Sequence, residues 1–148
     1  MKAGGNLLLV GPKSAALFQA ELGVALEGEP VNKPQTLAFK GGSAQTKGFS
    51  LGVKAGAGVE TFGTLQATAN AVVQPAASVT ALGKGRIAAT YADLGQSYNG
   101  ARSPAVRGLL SDLAKQLFPK PMAEVQGSAD VDVCLMRKKG RLLVNLVN

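Results

Sequence analysis

Residues Ala76 to Gly95 read AASVTALGKGRIAATYADLG, and the layout of the chain follows from them. Two apolar runs, Ala77–Leu82 and Ile87–Leu94, flank Gly83-Lys84-Gly85. Short apolar runs joined by a glycine-containing turn predict a β-hairpin. Val79, Ala81, Ile87, Ala89 and Tyr91 bring small, branched or aromatic side chains with little polar alternation. Strands of that kind are buried on both faces, as in a sheet covered by helices. The expected fold class is α/β, with this hairpin in the core.

Upstream, the apolar run Leu7–Val10 stops at Gly11-Pro12 and predicts a second buried strand. Ser14 is placed to N-cap a short helix, with Leu17, Phe18 and Leu22 along one side and Gly23 as its C-terminal stop. Between Val24 and Asn70 the turn signals Glu27-Gly28-Glu29-Pro30 and Lys40-Gly41-Gly42 surround an expected strand at Gln35–Phe39. Phe49–Val53 and Val59–Thr68 are further expected strands, separated by Lys54-Ala55-Gly56-Ala57-Gly58. This part reads as an insertion of short antiparallel strands, and Ala69–Ala76 as a loop around Gln74-Pro75.

Downstream, Gln96–Arg102 is expected to be a polar loop containing Tyr98. Ser103 then caps a helix whose first position is Pro104, where a missing N–H costs nothing. Val106, Leu109, Leu110, Leu113 and Leu117 make one apolar stripe, and Pro119 and Pro121 end the helix. In the tail, Val131, Val133 and Leu135 alternate with Asp132, Cys134 and Met136. After Lys138-Lys139-Gly140 the chain returns through Leu142–Val147, a second hairpin with one face open to solvent.

At 148 residues the chain suffices for one ordinary domain, or for a domain and part of another. Aromatic residues are 5% of it and Trp is absent, so the core must be built from Ala, Val and Leu. The single cysteine, Cys134, excludes an internal disulfide, and with no His the chain lacks the common zinc donor sets. No cofactor or metal site is expected. No apolar run reaches membrane-spanning length, and the expected setting is the cytoplasm.

Candidate chemistry is sparse. Strand, tight turn and helix at Val10-Gly11-Pro12-Lys13-Ser14 is the geometry of many ligand sites, because a helix's first amides point out at the strand's end. Gly11 and Ser14 are therefore candidate ligand-binding residues, although Gly11–Ala15 matches neither the Walker nor the dinucleotide glycine pattern. Lys13 and Ser14 as a nucleophile pair is the weaker alternative to a capping serine. Asp93 is the best-placed carboxylate, since α/β sheets bind ligands at the carboxyl ends of strands; its competing role is a loop hydrogen bond or a cap. Lys84 and Arg86 read as solvated, and Tyr91 and Tyr98 as packing residues. No catalytic residue is assigned.

Taken in order, Asn6–Gly11, the hairpin GKGRIAATYADLG, the helix SPAVRGLLSDLAKQLFP and the final VDVCLMRKKGRLLVNLVN resemble the back end of bacterial β-galactosidase-type glycoside hydrolases. The resemblance is to their glutamine-amidotransferase-like (trimerisation) domain, followed by the first hairpin of a small C-terminal β-domain. It implies a partial, flavodoxin-like sheet with flanking helices over residues 1–122, and a β-hairpin opening a second domain over 123–148. In such enzymes the sugar chemistry belongs to a separate (β/α)₈ barrel, which needs about 250 residues. The nine carboxylates here form no recognisable acid and nucleophile pair. Amidotransferase chemistry needs Cys and His, and the elbow at Gly11–Ser14 has neither. The chain is thus expected to be cut at both ends, and to act as a non-catalytic scaffold that self-associates, a dimer being favoured over the family's trimer. The other readings are a free-standing basic protein binding nucleic acid or another polyanion, and a small-ligand binder at the strand ends.

The formal charge of +7 bears on the second of these. Apart from Arg137, Lys138, Lys139 and Arg141 the cations are scattered, and the interleaved aromatics that stack bases are missing. Affinity for DNA or RNA at physiological salt is therefore expected to be weak and indifferent to sequence. A gel-shift series at rising salt tests this; submicromolar, sequence-selective binding would overturn it.

Overall fold

The computed structural model describes residues 3–121 and 131–147. Its elements, in chain order, are β1 (Leu7–Leu9), α1 (Pro12–Ala16), α2 (Gln19–Leu22), β2 (Val24–Asn32), β3 (Thr36–Phe39), β4 (Gly42–Gln45), β5 (Phe49–Ala55) and β6 (Glu60–Gln66). There follow β7 (Gln74–Leu82), β8 (Gly85–Thr90), α3 (Leu94–Ala101), α4 (Pro104–Leu117), β9 (Asp132–Lys138) and β10 (Arg141–Val147).

The central hairpin forms as its sequence predicts. β7 and β8 pair antiparallel from Ala77↔Thr90 to Leu82↔Gly85. Ala76 to Val79 and Ile87 to Thr90 are continuously buried, which is the signature of strands covered on both sides. β1 joins β8 in parallel, Leu7 beside Ile87. On the other side β6, β3 and β4 extend the sheet to the order β1-β8-β7-β6-β3-β4. The expected flavodoxin-like sheet is parallel throughout; here β1–β8 is the single parallel pairing of the six strands, and the whole is mixed and sheet-rich. The reason is local. β3–β4, β6–β7 and β7–β8 are each joined by a turn or loop, and β6 meets β3 after β4 and β5, all without the crossover helix that parallel pairing requires.

β2 and β5 make a separate antiparallel ribbon laid against β7. Glu27-Gly28-Glu29-Pro30, expected to be a turn, is instead a bulge inside β2, where the register shifts between Glu27 and Val31 and Gly28 takes φ 87°. The signal at Lys40-Gly41 does make the tight β3–β4 turn. Gln96–Arg102, expected as a loop, lies mostly in α3, which buries Leu94 and Ser97; Gln96 and Asn99 form its outer face.

α4 realises the predicted stripe. Val106, Leu109, Leu113 and Leu117 are buried, with Leu110 at the margin. Pro104 holds the first helical position and Ser103 stands at the N-cap, though its hydroxyl caps no amide. α4 touches β3 and β4 at one end of the sheet and β1 and β8 at the other, so it spans the curl and closes the core. Its last turn is tied down from the sheet. The Arg86 guanidinium donates to the Gln116 carbonyl at 3.0 Å and pairs with Glu60 at 3.1 Å, and Asn6 donates to the Leu117 carbonyl. Arg86, expected to be solvated, is thus a cation on a helix C-terminus.

β9 and β10 form the tail hairpin, paired from Lys138↔Arg141 to Asp132↔Val147. The expected boundary at 122/123 lies outside the described residues, as do Met1, Lys2 and Asn148.

Tyr91 is the largest buried side chain, and its hydroxyl shares a 2.5 Å hydrogen bond with Ser78. Burial pushes its ionisation above the usual 10.0, against the smaller opposing pull of that bond. An acid whose folded pKa is raised keeps its stabilising contribution below the unfolded pKa and loses it as pH rises beyond. Stability should therefore fall above pH 10.0 by up to about 1.4 kcal/mol per pH unit from this group. Tyr91→Phe should remove that component of the alkaline slope. At neutral pH it should cost about 1–2 kcal/mol, because Ser78 Oγ is left buried without its partner. Urea titrations of both proteins at neutral and alkaline pH check this; an unchanged alkaline slope would refute it.

Candidate functional site

Of the three candidate residues, the structure brings two together. Gly11 ends the β1 segment and begins α1 with φ 103°, a conformation that favours glycine. Its amide donates to the buried Thr90 Oγ1 at 2.9 Å, fixing the first helical turn to the end of β8. Asp93 follows β8 and stands at the N-cap of α3. A Cβ on Gly11 would lie 3.1 Å from Asp93 Oδ1, so backbone and carboxylate are in contact. A second glycine, Gly48 at φ 82°, fits against the same carboxylate; a Cβ there would come within 2.7 Å of Oδ2.

The Asp93 carboxylate is used by the chain itself. Oδ2 accepts the Phe49 amide at 2.9 Å, while the Asp93 amide donates to the Phe49 carbonyl at 2.9 Å. The Asp93 carbonyl receives the Ser97 amide at 3.0 Å and the Ser97 hydroxyl at 2.8 Å. Ser97 Oγ in turn accepts the Lys47 amide at 2.9 Å. Asp93 therefore joins β8, β5 and α3, which is the loop-bonding role that competed with ligand binding in the sequence.

Ser14 is set apart. It lies within α1, whose N-cap is Gly11, so the expected capping role is overturned: the helix starts three residues earlier than Ser14 needs. Among the described residues its hydroxyl is in no hydrogen bond with Gly11 or Asp93. Lys13 Nζ sits 4.6 Å from the centre of the Phe49 ring, a cation–π contact, and not in a pair with Ser14. Open concavities lie around Phe118 and Pro119 at the end of α4, at the β3–β4 turn, beside α2 and at the tail turn. Among the described residues no group of three metal-ligating side chains converges.

The fold is similar to one segment of GH42 β-galactosidases. The cold-adapted β-galactosidase of Rahnella sp. R3 matches with TM-score 0.67 and 16% identity over 99% of this chain. The β-galactosidase of Bacillus circulans sp. alkalophilus gives 0.61 and 13% over 97%, and Gan42B of G. stearothermophilus 0.59 and 15% over 93%. In each case the chain spans only a fraction of its counterpart, 24%, 23% and 21% respectively. No protein-family model and no curated protein sequence matches the chain. At these identities the likeness concerns the fold.

Thr90, Phe49, Gly48 and Ser97 were not singled out by sequence. Thr90 carried a faint signal, a lone hydroxyl inside an apolar strand. Phe49 meets Asp93 across forty-four positions, and nothing local announces it.

The sign of a stability change distinguishes the roles of Asp93. A ligand-poised carboxylate is commonly a strained group whose removal stabilises. A structural acceptor costs stability when removed, about 1–2 kcal/mol for the orphaned Phe49 amide. Asp93→Ala is expected to destabilise by that amount and Asp93→Asn by clearly less, since its amide oxygen can still accept. Chemical denaturation of the three proteins checks this, and a more stable Asp93→Ala protein would favour the ligand-binding role.

Proposed function

We propose that this chain is a non-catalytic scaffold and oligomerisation module related to glycoside hydrolases, corresponding to the amidotransferase-like part of β-galactosidase-type enzymes and the start of the β-domain after it. The observation that carries the proposal is the fold likeness: nearly the whole chain superimposes on about a fifth to a quarter of each galactosidase chain. On this reading the catalytic barrel is a separate part, and β1, β7, β8 and α4 are the amidotransferase-like layer, with β2–β6 as an antiparallel insertion. The distribution of the carboxylates supports it. Asp93 bonds Phe49, Asp112 pairs with Lys40, Glu60 with Arg86, and Glu27 accepts from Gln74. None of these pairs a carboxyl with a second carboxyl across a cleft, which glycoside hydrolysis requires.

A second copy of the chain is the proposed partner and the cytoplasm the proposed location, where an unpaired, exposed Cys134 stays reduced. Among the described residues no helix is long and apolar enough to cross a membrane. One observation favours the polyanion-binding alternative: Lys138, Lys139 and Arg141 line an open concavity of about 420 Å³ at the tail turn.

The purified chain is expected to hydrolyse no aryl galactoside or other aryl glycoside and to release no ammonia from glutamine. Turnover that persists through purification and disappears in Asp93→Asn or Ser14→Ala would overturn the proposal.

A further inference from the structure

The exposed strand edges of this protein are not alike. β1 has three residues and is tied at its start by Asn6 to the end of α4. β4 has four, and Ala105 of α4 packs on its first residue, Gly42. β2 carries a bulge, Pro30 and two glutamates. Each of these is a device that discourages pairing with another chain. β10 has none of them. It reads RLLVNLV, seven residues in unbroken register with β9, without Pro or Gly and with Arg141 as its single charge. Among the described residues nothing pairs with its outer edge, and Leu142, Leu143, Val144, Leu146 and Val147 are all exposed. β9, by contrast, has Asp132, Arg137 and Lys138 among its seven residues.

The register says which backbone groups are free. Lys139 and Gly140 both take positive φ, 49° and 77°, the pattern of a two-residue type I′ turn, which closes on a hydrogen-bonded pair. Lys138↔Arg141 is that pair, and bonded pairs alternate from there: Leu143↔Met136, Asn145↔Cys134, Val147↔Asp132. Leu142, Val144 and Leu146 therefore turn their N–H and C=O groups outward. Their side chains share a face with Val133 and Leu135, so free backbone edge and apolar face belong to the same residues.

We infer that β10 is the dimer interface: it pairs antiparallel with β10 of a second copy about a two-fold axis through Val144, making a four-stranded sheet. This rests on the oligomerisation reading above and names its surface. The register is chosen by hydrogen bonding. With Val144 opposite its own counterpart, Leu142 lies opposite Leu146, and every outward-facing residue exchanges bonds with another outward-facing residue. A shift of the axis to Leu143 or Asn145 leaves one of them without a partner in the strand. Charge selects the direction. Arg137, Lys138, Lys139 and Arg141 crowd the turn, and a parallel arrangement would set the two basic turns side by side. The antiparallel one separates them by the length of the strand, about 20 Å. It also merges two narrow apolar faces into one, and a sheet of more than two strands is stable where a lone hairpin is marginal. The contact is isologous and closes at two copies.

The test uses the full chain in a Cys134→Ser background, which removes the only cysteine. Val144→Cys should give a covalent dimer with a short thiol-specific bifunctional cross-linker, because a residue paired with itself across the axis stands directly opposite its counterpart. Val144→Pro deletes the donor at the axis, and light scattering across a dilution series should show the dimer's dissociation constant raised at least about tenfold. Circular dichroism reports whether the rest of the fold persists. A dimer that neither cross-links through position 144 nor responds to Val144→Pro overturns this interface and leaves the oligomerisation reading standing. A monomer at every concentration overturns both.

Discussion

A strand can hydrogen-bond to only two neighbours at once, and the chain between Thr90 and Asp93 is where this protein changes neighbours. Along β8 the partners are β1 and β7. At Tyr91 the amide still bonds Ala76 while the carbonyl has already turned to Leu51. At Asp93 both backbone and carboxylate bond Phe49. The six-stranded sheet and the β2–β5 ribbon are joined by this handover, and α3 starts from the same residue. Tyr91 fills the centre of the junction, and its buried hydroxyl is satisfied by Ser78.

The junction also occupies the end of β8. In open α/β sheets the carboxyl ends of the strands frame a crevice, and ligands bind there. Here Phe49 of β5 bonds both the backbone amide and the carboxylate of Asp93, just past the end of β8. Buried hydroxyls follow the same pattern: Thr90 accepts from Gly11, Ser97 bridges Lys47 and Asp93, and Ser50 accepts from Gln35. Among the described residues no buried side-chain polar atom lacks a partner.

The tail hairpin obeys a different rule. In the body every apolar stripe meets another element: α4 lies across the curled sheet and β5 against β7. β9 and β10 pack chiefly on each other, and the aliphatic residues of β10 remain exposed. The tail is thus an amphipathic ribbon with a basic turn.

The sequence by itself determined the elements whose signal is local and repeated. The β7–β8 hairpin, the stripe of α4 with Pro104 at its start, and the tail hairpin were all legible, because period, turn residues and length agree within a dozen positions. So was the absence of a Cys–His pair. Only the tertiary structure decided that β2 continues through Glu27–Pro30 as a bulge, that Gln96–Arg102 is helical, and that the sheet is mixed instead of flavodoxin-like. Those outcomes hang on partners distant in sequence: β5 lines up β2, the core takes Leu94 and Ser97, and β6 pairs with both β3 and β7 without crossover helices. The candidate site divides the same way. That Gly11 and Asp93 lie at strand ends could be read directly, whereas Asp93 spends its carboxylate on Phe49 and Arg86 closes α4 because folding brings remote backbone groups to them. Hydrogen bonds across such separations leave no periodic trace in a single sequence.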